Sequence, residues 1–599
     1  MYNSKFSLFR RDLGVKLITV LFLTVNFTSF SQEETFNREV QVVREYNPAI
    51  SDAFKINDMP STNDTLKANP VFRYQLKGKA LITPPEMVPI TPARLANEPL
   101  DELFPAYIQG FVGNYDIFGG KFLYNLVRNE KFALALNVAH ESSLGDIKLN
   151  NKEEVNADYH ETVAGLYMRH FFKKATFSVN MDFINFAYRY YGKQNIKPDI
   201  FYSFPSDSLP GIDILKKSAQ RQTGFDMNMR LKNRVLKNNT LYDILLGFYT
   251  FENHSGIVEN SFRYGGNFTF VLKDFELNFE TSVDYAGSRI DKVSTSYPLQ
   301  VYNFENRDRT LLQLNPALIR RHDNFMIKLG LRIGAGFDTI EDEFYLSPDV
   351  GVNFKIENTV VIQAGITGEI KPYSYRNIMA ENPFITPDLN VETGFHGAKF
   401  YAGINGNFSN KTSFGFRVEY GTFVNEHFFI NKLYTSNDTL YYGNRFGVQY
   451  DDGRLLSVSG EFKANINSNF DLILRAAHYG WKTDSLDKAW HKPSMELGIR
   501  TIYKATRDLN FSAAFNILGE RYYILSLPKV IENEGQAQVV WNTKRIKPVY
   551  DFNLGANYTL NSRWNFFCTI QNIFISKCYM YYGYPMHGIN MKVGAGFSF

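Results

Sequence analysis

Cysteine and tryptophan are scarce in this chain, with 2 and 4 among 599 residues. No stretch approaches the ~18 uninterrupted apolar residues of a membrane-crossing helix. Each scarcity excludes something. Ten residues of extended chain separate Cys568 from Cys578 by roughly 33 Å, so no disulfide framework is read here. The lack of a long apolar run leaves the mature protein without a helical anchor. Charge of one sign is lacking too: 65 basic against 61 acidic residues give +4, which removes the electrostatic case for a nucleic-acid partner. HExxH, GxSxG, P-loop and CxxC motifs are missing, so the sequence reads as a non-enzyme with no cofactor. The ten histidines are scattered. His140-Glu141 and Glu426-His427 are fragments of metal-ligand chemistry, but neither has a partner at ligand spacing, and both read as polar strand-end or loop residues.

What is abundant is aromatic side chain: 53 Phe and 37 Tyr bring the aromatic share to 16%. Such a share suits a β-barrel with aromatic belts at the lipid interface. A mean hydropathy of -0.27 fits too, because barrel strands alternate apolar with polar and average out.

The first residues read as a signal peptide over 1–31. Lys5, Arg10, Arg11 and Lys16 form a basic start, Leu17 to Val25 an apolar core, and Ser29-Phe30-Ser31 the small residues before Gln32. Residues 32–105 carry the proline-rich run Thr83-Pro84-Pro85-Glu86-Met87-Val88-Pro89-Ile90-Thr91-Pro92, which favours extended, unpaired chain. This stretch is read as a periplasmic or luminal segment.

From residue 106 to 599 one pattern recurs. Phe262, Tyr264, Phe268, Phe270 and Leu272 share one face, with Arg263, Asn267 and Thr269 on the other. Lys273-Asp274 then turns the chain, and the alternation resumes with Phe275, Leu277, Phe279 and Val283. Period two gives one apolar and one polar face. Ten hairpins follow from this parity, with turns at Asn129-Glu130, Lys173-Lys174, Lys237-Asn238, Lys273-Asp274, His322-Asp323, Glu357-Asn358, Asn410-Lys411, Asn467-Ser468, Thr506-Arg507 and Asn561-Ser562. With a first strand at 106–116 and a last at 588–599, the expectation is an all-β, antiparallel transmembrane barrel of about 22 strands. The even number places both termini on one side, the periplasmic one. Longer loops join the other strand ends at 191–218, 286–307, 371–394, 422–443 and 520–545. Short turns against long loops is the asymmetry of bacterial outer-membrane barrels. A secreted β-sandwich or lectin is the alternative, but it would need linkers, and none is visible after residue 105.

The last strand is the most specific signal. Ile589, Met591, Val593, Ala595, Phe597 and Phe599 face outward, with Asn590, Lys592, Gly594, Gly596 and Ser598 inward. Lys592, Gly594, Phe597 and Phe599 match the terminal signal by which such proteins engage the outer-membrane assembly machinery. The inward faces mix signs: Arg169, Arg230, Arg263, Lys328, Arg332, Lys355, Arg417, Lys463, Arg475, Arg500 and Lys592 against Asp182, Asp226, Asp243, Glu276, Glu280, Glu369, Glu419, Glu461, Asp471, Glu496 and Asp551. An ion-selective pore would show one sign. Mixed signs suit paired charges that hold an inserted segment or folded loops; a simply solvated wall is the alternative. Loop aromatics (Tyr188, Tyr190, Tyr191, Phe428, Phe429, Tyr441, Tyr442, Tyr522, Tyr523, Tyr579, Tyr581, Tyr582 and Tyr584) read as an interface girdle, or as rings stacking on sugars or a partner protein.

Glu39-Val40-Gln41-Val42-Val43-Arg44-Glu45-Tyr46-Asn47-Pro48, followed by Ile50 to Ile56, together with the first strand Ala106 to Tyr115, resembles a Bacteroidota group of TonB-dependent receptor-like barrels. The resemblance implies 22 strands and periplasmic termini, and makes Glu39, Val40, Gln41, Val42 and Val43 a TonB-box-like segment that would add a strand to TonB. It departs from full receptors in one respect. Their plug exceeds a hundred residues, whereas 32–105 supplies 74. Two functions are therefore compatible with the sequence: binding or transport of a solute at the cell surface, with TonB or a surface lipoprotein as partner, and a structural or accessory barrel subunit of a larger outer-membrane complex. Outer-membrane lipids and the assembly machinery are partners in both.

Overall fold

The computed structural model describes residues 104–599, apart from 150–151, 193–218, 234–238, 291–305, 340, 358, 387–388, 437–438, 525–528, 534–535, 541 and 575–578. The expected signal peptide, the 32–103 segment and the Glu39–Val43 box lie outside the described residues, as do Cys578 and the turn at Lys237-Asn238. The chain divides into two compact units, Met1–Asp101 and Glu102–Phe599, and the described residues belong to the second.

A single antiparallel sheet of 22 strands closes on itself. Ala106–Gly113 pairs with Ile117–Arg128 on one side and with Asn590–Ser598 on the other. The seam is tied by reciprocal backbone bonds of 3.0 Å between Ala106 and Phe599. Closure matters because an unpaired N–H or C=O facing hydrocarbon costs several kcal/mol, and only a sheet without edges avoids this.

The expected short turns fall between paired strands, and local chemistry explains them. Asn129 Oδ1 accepts from the backbone N–H of Lys131 and Phe132 at 2.9 and 2.8 Å. Thr506 Oγ1 does the same for Asp508 and Leu509 at 3.2 and 3.0 Å. Asn561 and Ser562 both adopt positive φ, 52° and 57°, and the Arg563 N–H donates to Leu560 O at 3.3 Å, a turn whose twist matches that of the paired strands. These turns and both ends of the described barrel, Ala106 and Phe599, share one rim.

Parity holds around the wall. Leu346 and Phe400 (each 57% exposed) and Ile362 (42%) point outward. Phe268 sits opposite Phe279 and Tyr242 on the face that also carries Phe262 and Phe270. Gln363 points into the lumen, while Asn267 takes a bond from the Asn278 side chain. On the last strand, Met591, Val593 and Phe599 are exposed. Phe597 lies 4.6 Å from the Trp564 ring and 5.9 Å from that of Phe599. Gly594 and Gly596 face inward for a packing reason. A Cβ at Gly594 would strike the Phe567 ring and the Gly110 carbonyl, and one at Gly596 the Tyr107 ring.

At the opposite rim the structure departs from expectation. Residues 422–443 are not a loop: the strands Thr412–Ser436 and Thr439–Asn467 run through them as a paired arm rising above the wall. Phe423, Phe428, Phe429 and Ile430 supply the β-forming side chains that the polar Asn425-Glu426-His427 obscured. The expected loop 371–394 contains helix α1 (Tyr375–Glu381). The 520–545 region carries the ladders Arg521–Ile524 with Thr543–Ile546 and Lys529–Asn533 with Gln536–Val540.

Two outcomes test this register. Phe268→Arg and Ile362→Arg should impair folding into lipid vesicles by roughly 2–4 kcal/mol, whereas Asn267→Arg and Gln363→Arg should be tolerated. Equal tolerance at neighbouring positions, read by gel mobility before and after heating, would overturn the facing. Gly594→Val should lower stability by about 1–3 kcal/mol in a denaturant titration, since the Gly110 carbonyl it would strike is fixed in the seam ladder even where the Phe567 ring can turn aside.

Candidate functional site: a latched lid over a luminal chamber

Helix α1 forms where Ser374 caps it. The Ser374 Oγ accepts from the Asn377 N–H at 3.1 Å, with Ser374 in extended backbone. Two further N–H groups of the first turn, on Tyr375 and Arg376, donate to the Glu259 carboxylate at 2.9 and 3.1 Å. Glu259 is 1% exposed and also accepts from Tyr249 Oη at 2.9 Å and Ser288 Oγ at 3.1 Å. A buried carboxylate is stable only when so bonded, and a helix N-terminus is a favourable place for it. Arg376 then forks onto Asp226 at 2.6 and 2.5 Å, with its guanidinium 4.7 Å from the Tyr249 ring.

The other end of the helix is latched to the far wall. Glu381 Oε2 lies 2.6 Å from His427 Nε2, and Glu381 Oε1 accepts from Lys492 Nζ at 3.2 Å. Glu426, 3% exposed, accepts from Lys371 Nζ at 3.0 Å and Tyr373 Oη at 2.9 Å, and lies 3.3 Å from His396 Nε2. Burial pushes both carboxyls up, but the imidazoles and Lys492 outweigh it. Glu381 ends at about 2, and Glu426 too is held well below the usual carboxylate range. Both values are depressed below the ordinary 4.5, so this stabilisation is complete above that pH and lost only as pH falls toward about 2. The two carboxylates of the latch are thus charged at neutral pH.

Between the latches the lid is stitched down. Thr386 N–H donates to Phe446 O at 2.7 Å and Phe446 N–H to Phe384 O at 2.9 Å. Tyr190 Oη donates to Ile385 O at 2.8 Å, and Tyr581 Oη to Glu381 O at 2.6 Å. Tyr188, Tyr190, Tyr375, Ile378, Met379, Ile385, Phe429, Phe446 and Tyr584 form one buried cluster beneath it. This corrects the reading of the loop aromatics as an interface girdle. Tyr188, Tyr190, Phe428, Phe429, Tyr523 and Tyr584 are buried in the lid and its supports, at 0–9% exposure. The side chains of Tyr441 and Tyr442 lie outside those described.

Under the lid lies a chamber of about 1150 Å³. Six residues expected in the lumen line it: Arg417, Glu461, Arg475, Glu496, Asp551 and Lys592. Much of the wall's charge is paired. Arg475 meets Glu461 at 2.6 Å, Arg417 meets Glu419 at 2.8 Å and Lys592 meets Glu141 at 2.6 Å. Elsewhere Arg230 meets Asp243, Arg263 meets Asp284 and Lys328 meets Asp349. Paired charge of both signs removes the field an ion-selective pore needs.

The two histidine fragments fare differently. Glu141 turns into the chamber while His140 bonds Thr162 Oγ1 at 2.8 Å and packs 6.1 Å from the Phe118 ring. Glu426 and His427 come together only because a bulge intervenes at Phe423/Glu426, with Asn425 at φ 53°. Lys371 and Lys492 supply the cations there. Sequence reasoning named Asp226 but missed Glu259 and Arg376. The one local signal was an acid set in Ile257-Val258-Glu259, where parity gives it no neighbour of opposite charge on its own strand.

No family model and no curated protein matches this chain at the sequence level. Solved structures do match in fold. The ferric-catecholate import receptor Fiu from Escherichia coli K12 superposes with a TM-score of 0.56 at 12% identity, over 83% of this chain and 82% of that one. The pyoverdine receptor FpvA from Pseudomonas aeruginosa gives 0.58 at 12%, over 83% and 79%. The FrpB iron transporter from Neisseria meningitidis gives 0.59 at 11%, over 84% and 82%. At this identity the likeness establishes the shared barrel fold.

Replacing Glu259 by Ala should loosen the lid without opening the barrel. Each buried donor left unmet costs about 1–3 kcal/mol, so lid opening should become easier by roughly 3 kcal/mol. Hydrogen exchange at the Ile378 and Asn382 amides should then speed up on the order of 100-fold, while strand amides near Gln109 keep their protection. Unchanged exchange in the lid would mean that Glu259 does not anchor it.

Proposed function

We propose that this protein is an outer-membrane receptor-like barrel that admits a solute from the cell surface into its lumen, with the 372–393 segment as the gate. The observation that carries this reading is the chamber: a barrel wall with paired charges encloses it, and the lid closing one end is a separate, latched piece rather than part of the wall. The fold shared with siderophore and iron receptors supports it. We place the short-turn rim, with Ala106 and Phe599, on the periplasmic side and the lid at the surface. Lys592, Gly594, Phe597 and Phe599 serve as the assembly signal. Glu39, Val40, Gln41, Val42 and Val43 offer the main-chain edge that TonB would pair with, and a surface lipoprotein would dock over the lid rim. The depth of the two latches favours a second reading, a permanently sealed accessory subunit.

Conductance separates the two. The intact protein in a planar bilayer should show no steady current, and a variant with 375–386 replaced by a short Gly-Ser bridge should show openings in the nanosiemens range. A current restored to zero by oxidising an added Ile385→Cys/Phe446→Cys pair in the Glu259→Ala variant would identify the lid as the gate. A lidless barrel that still carries no current would overturn the conduit reading and leave the accessory one.

A further inference from the structure

One corner of the chamber has polar atoms without partners. Asp158 Oδ1, His587 Nε2 and Asn590 Oδ1 are buried and lack a hydrogen-bond partner among the described residues, and all three residues line the chamber. Buried polar atoms are rarely left unpaired, and each unmet one costs about 1–3 kcal/mol. Their neighbours are aromatic. The His587 ring lies 4.6 Å from that of Tyr115 and 6.4 Å from that of Tyr159, which itself faces the chamber.

The charges at this corner are already paired. Asp158 gives its Oδ2 to Arg189 at 2.8 Å. Lys592 Nζ donates to Glu141 Oε1 at 2.6 Å, and Tyr159 Oη donates to the same carboxylate at 2.7 Å. Burial, with Lys592 nearby, pulls His587 below its ordinary value, so the ring is neutral at neutral pH. Two closed ion pairs, with the Glu161 carboxylate acting on Tyr159 beside them, leave no positive charge to attract an anion. What remains are carbonyl-type acceptors, a neutral imidazole and exposed ring faces.

The rest of the lining carries four acids, Glu161, Glu461, Glu496 and Asp551, against two bases, Arg417 and Arg475, so it holds no surplus of positive charge. Gln363, Asn405, Asn516, Asn553, Gln571 and Asn572 add six side-chain amides. An amide both donates and accepts without charge, which is what a hydroxyl needs from its partner. Rings supply flat apolar surface, here from Tyr159, Phe186, Tyr191 and Phe384 in the chamber roof.

We infer that the chamber binds a neutral, hydroxyl-rich solute of the class of an uncharged oligosaccharide, seated at the Asp158–His587–Asn590 corner with a sugar face against Tyr159. This rests on the reading of the barrel as a solute receptor. The corner suits a hydroxyl, which both donates and accepts, because its free atoms include the acceptors Asp158 Oδ1 and Asn590 Oδ1 and its cations are occupied. The same feature disfavours the anionic iron chelates named for the structural neighbours.

Titration calorimetry on the full chain in detergent tests it. The probes are neutral gluco-, manno-, xylo- and galacto-oligosaccharides of two to six units, oligogalacturonates of equal length, and a ferric tris-catecholate. At least one neutral series should bind saturably. Asn590→Leu and His587→Phe should each weaken that binding tenfold or more, with heat-modifiable mobility on gels showing an intact barrel. His587→Gln, which keeps a polar atom, should retain most of the affinity. Asn228→Leu, on a wall remote from the corner, should bind like the parent. Preference for the acidic oligosaccharide or the ferric chelate, no neutral binding at all, or affinity unchanged in Asn590→Leu would overturn the inference. A lidless barrel that conducts while showing no neutral preference would sink this inference alone and leave the conduit reading standing. A lidless barrel that carries no current would sink that reading instead.

Discussion

Everything in this molecule depends on one constraint: a strand that meets hydrocarbon must pair both of its edges. That requirement closes 22 strands into a ring through the Ala106–Gly113 and Asn590–Ser598 seam. Closure sets the rest. Once the ring is closed, period-two alternation assigns every second side chain to lipid and every other to the lumen. A lumen of this width is too broad for wall side chains to fill. Its charged residues therefore pair with one another along the wall, as Arg230 does with Asp243, or reach inward to hold folded segments, as Asp226 does with Arg376.

The lid shows how such a held segment is made secure in a polar lumen. Helix α1 spans only Tyr375–Glu381 and would not be stable alone. Its N-terminal amides are met by Glu259, its C-terminal Glu381 by His427 and Lys492, and its apolar side by Tyr190, Phe446 and Tyr584. The acid at the helix C-terminus opposes the helix dipole, and the Lys492 ammonium across the gap offsets that. Fixing both ends of a short helix to opposite walls also ties those walls together above the membrane.

How much of this was legible in the sequence depends on distance along the chain. Alternation, turns and strand number are local properties, and Asn129, Lys273-Asp274 and Thr506 announce their turns within a few residues. Gly594 and Phe597 disclosed the facing of the last strand for the same reason. The lid was not legible, because it joins Asp226, Glu259, Arg376, His427 and Lys492, which no short window contains. Tyr188, Phe429 and Tyr584 were misplaced for a related reason. A ring facing lipid and a ring buried in a lid look alike in one dimension. The arm over 422–443 was hidden by Asn425-Glu426-His427, whose polarity suits a loop but here turns inward to the latch.

The arm has a mechanical consequence. Above the bulge at Asn425 its two strands pair with each other as far as Ser436 and Thr439, and Phe446 bridges to Ile385 of the lid. Phe446, to which the lid is bonded, lies opposite Asn431, about five residues or roughly 17 Å above that bulge, and the tip lies about twice as far. The lower arm is braced, with His491 Nδ1 2.9 Å from Phe429 O and Phe428 packed with Trp490. The lid is therefore bonded to the arm just above its braced base, and a load on the tip reaches it through Phe446.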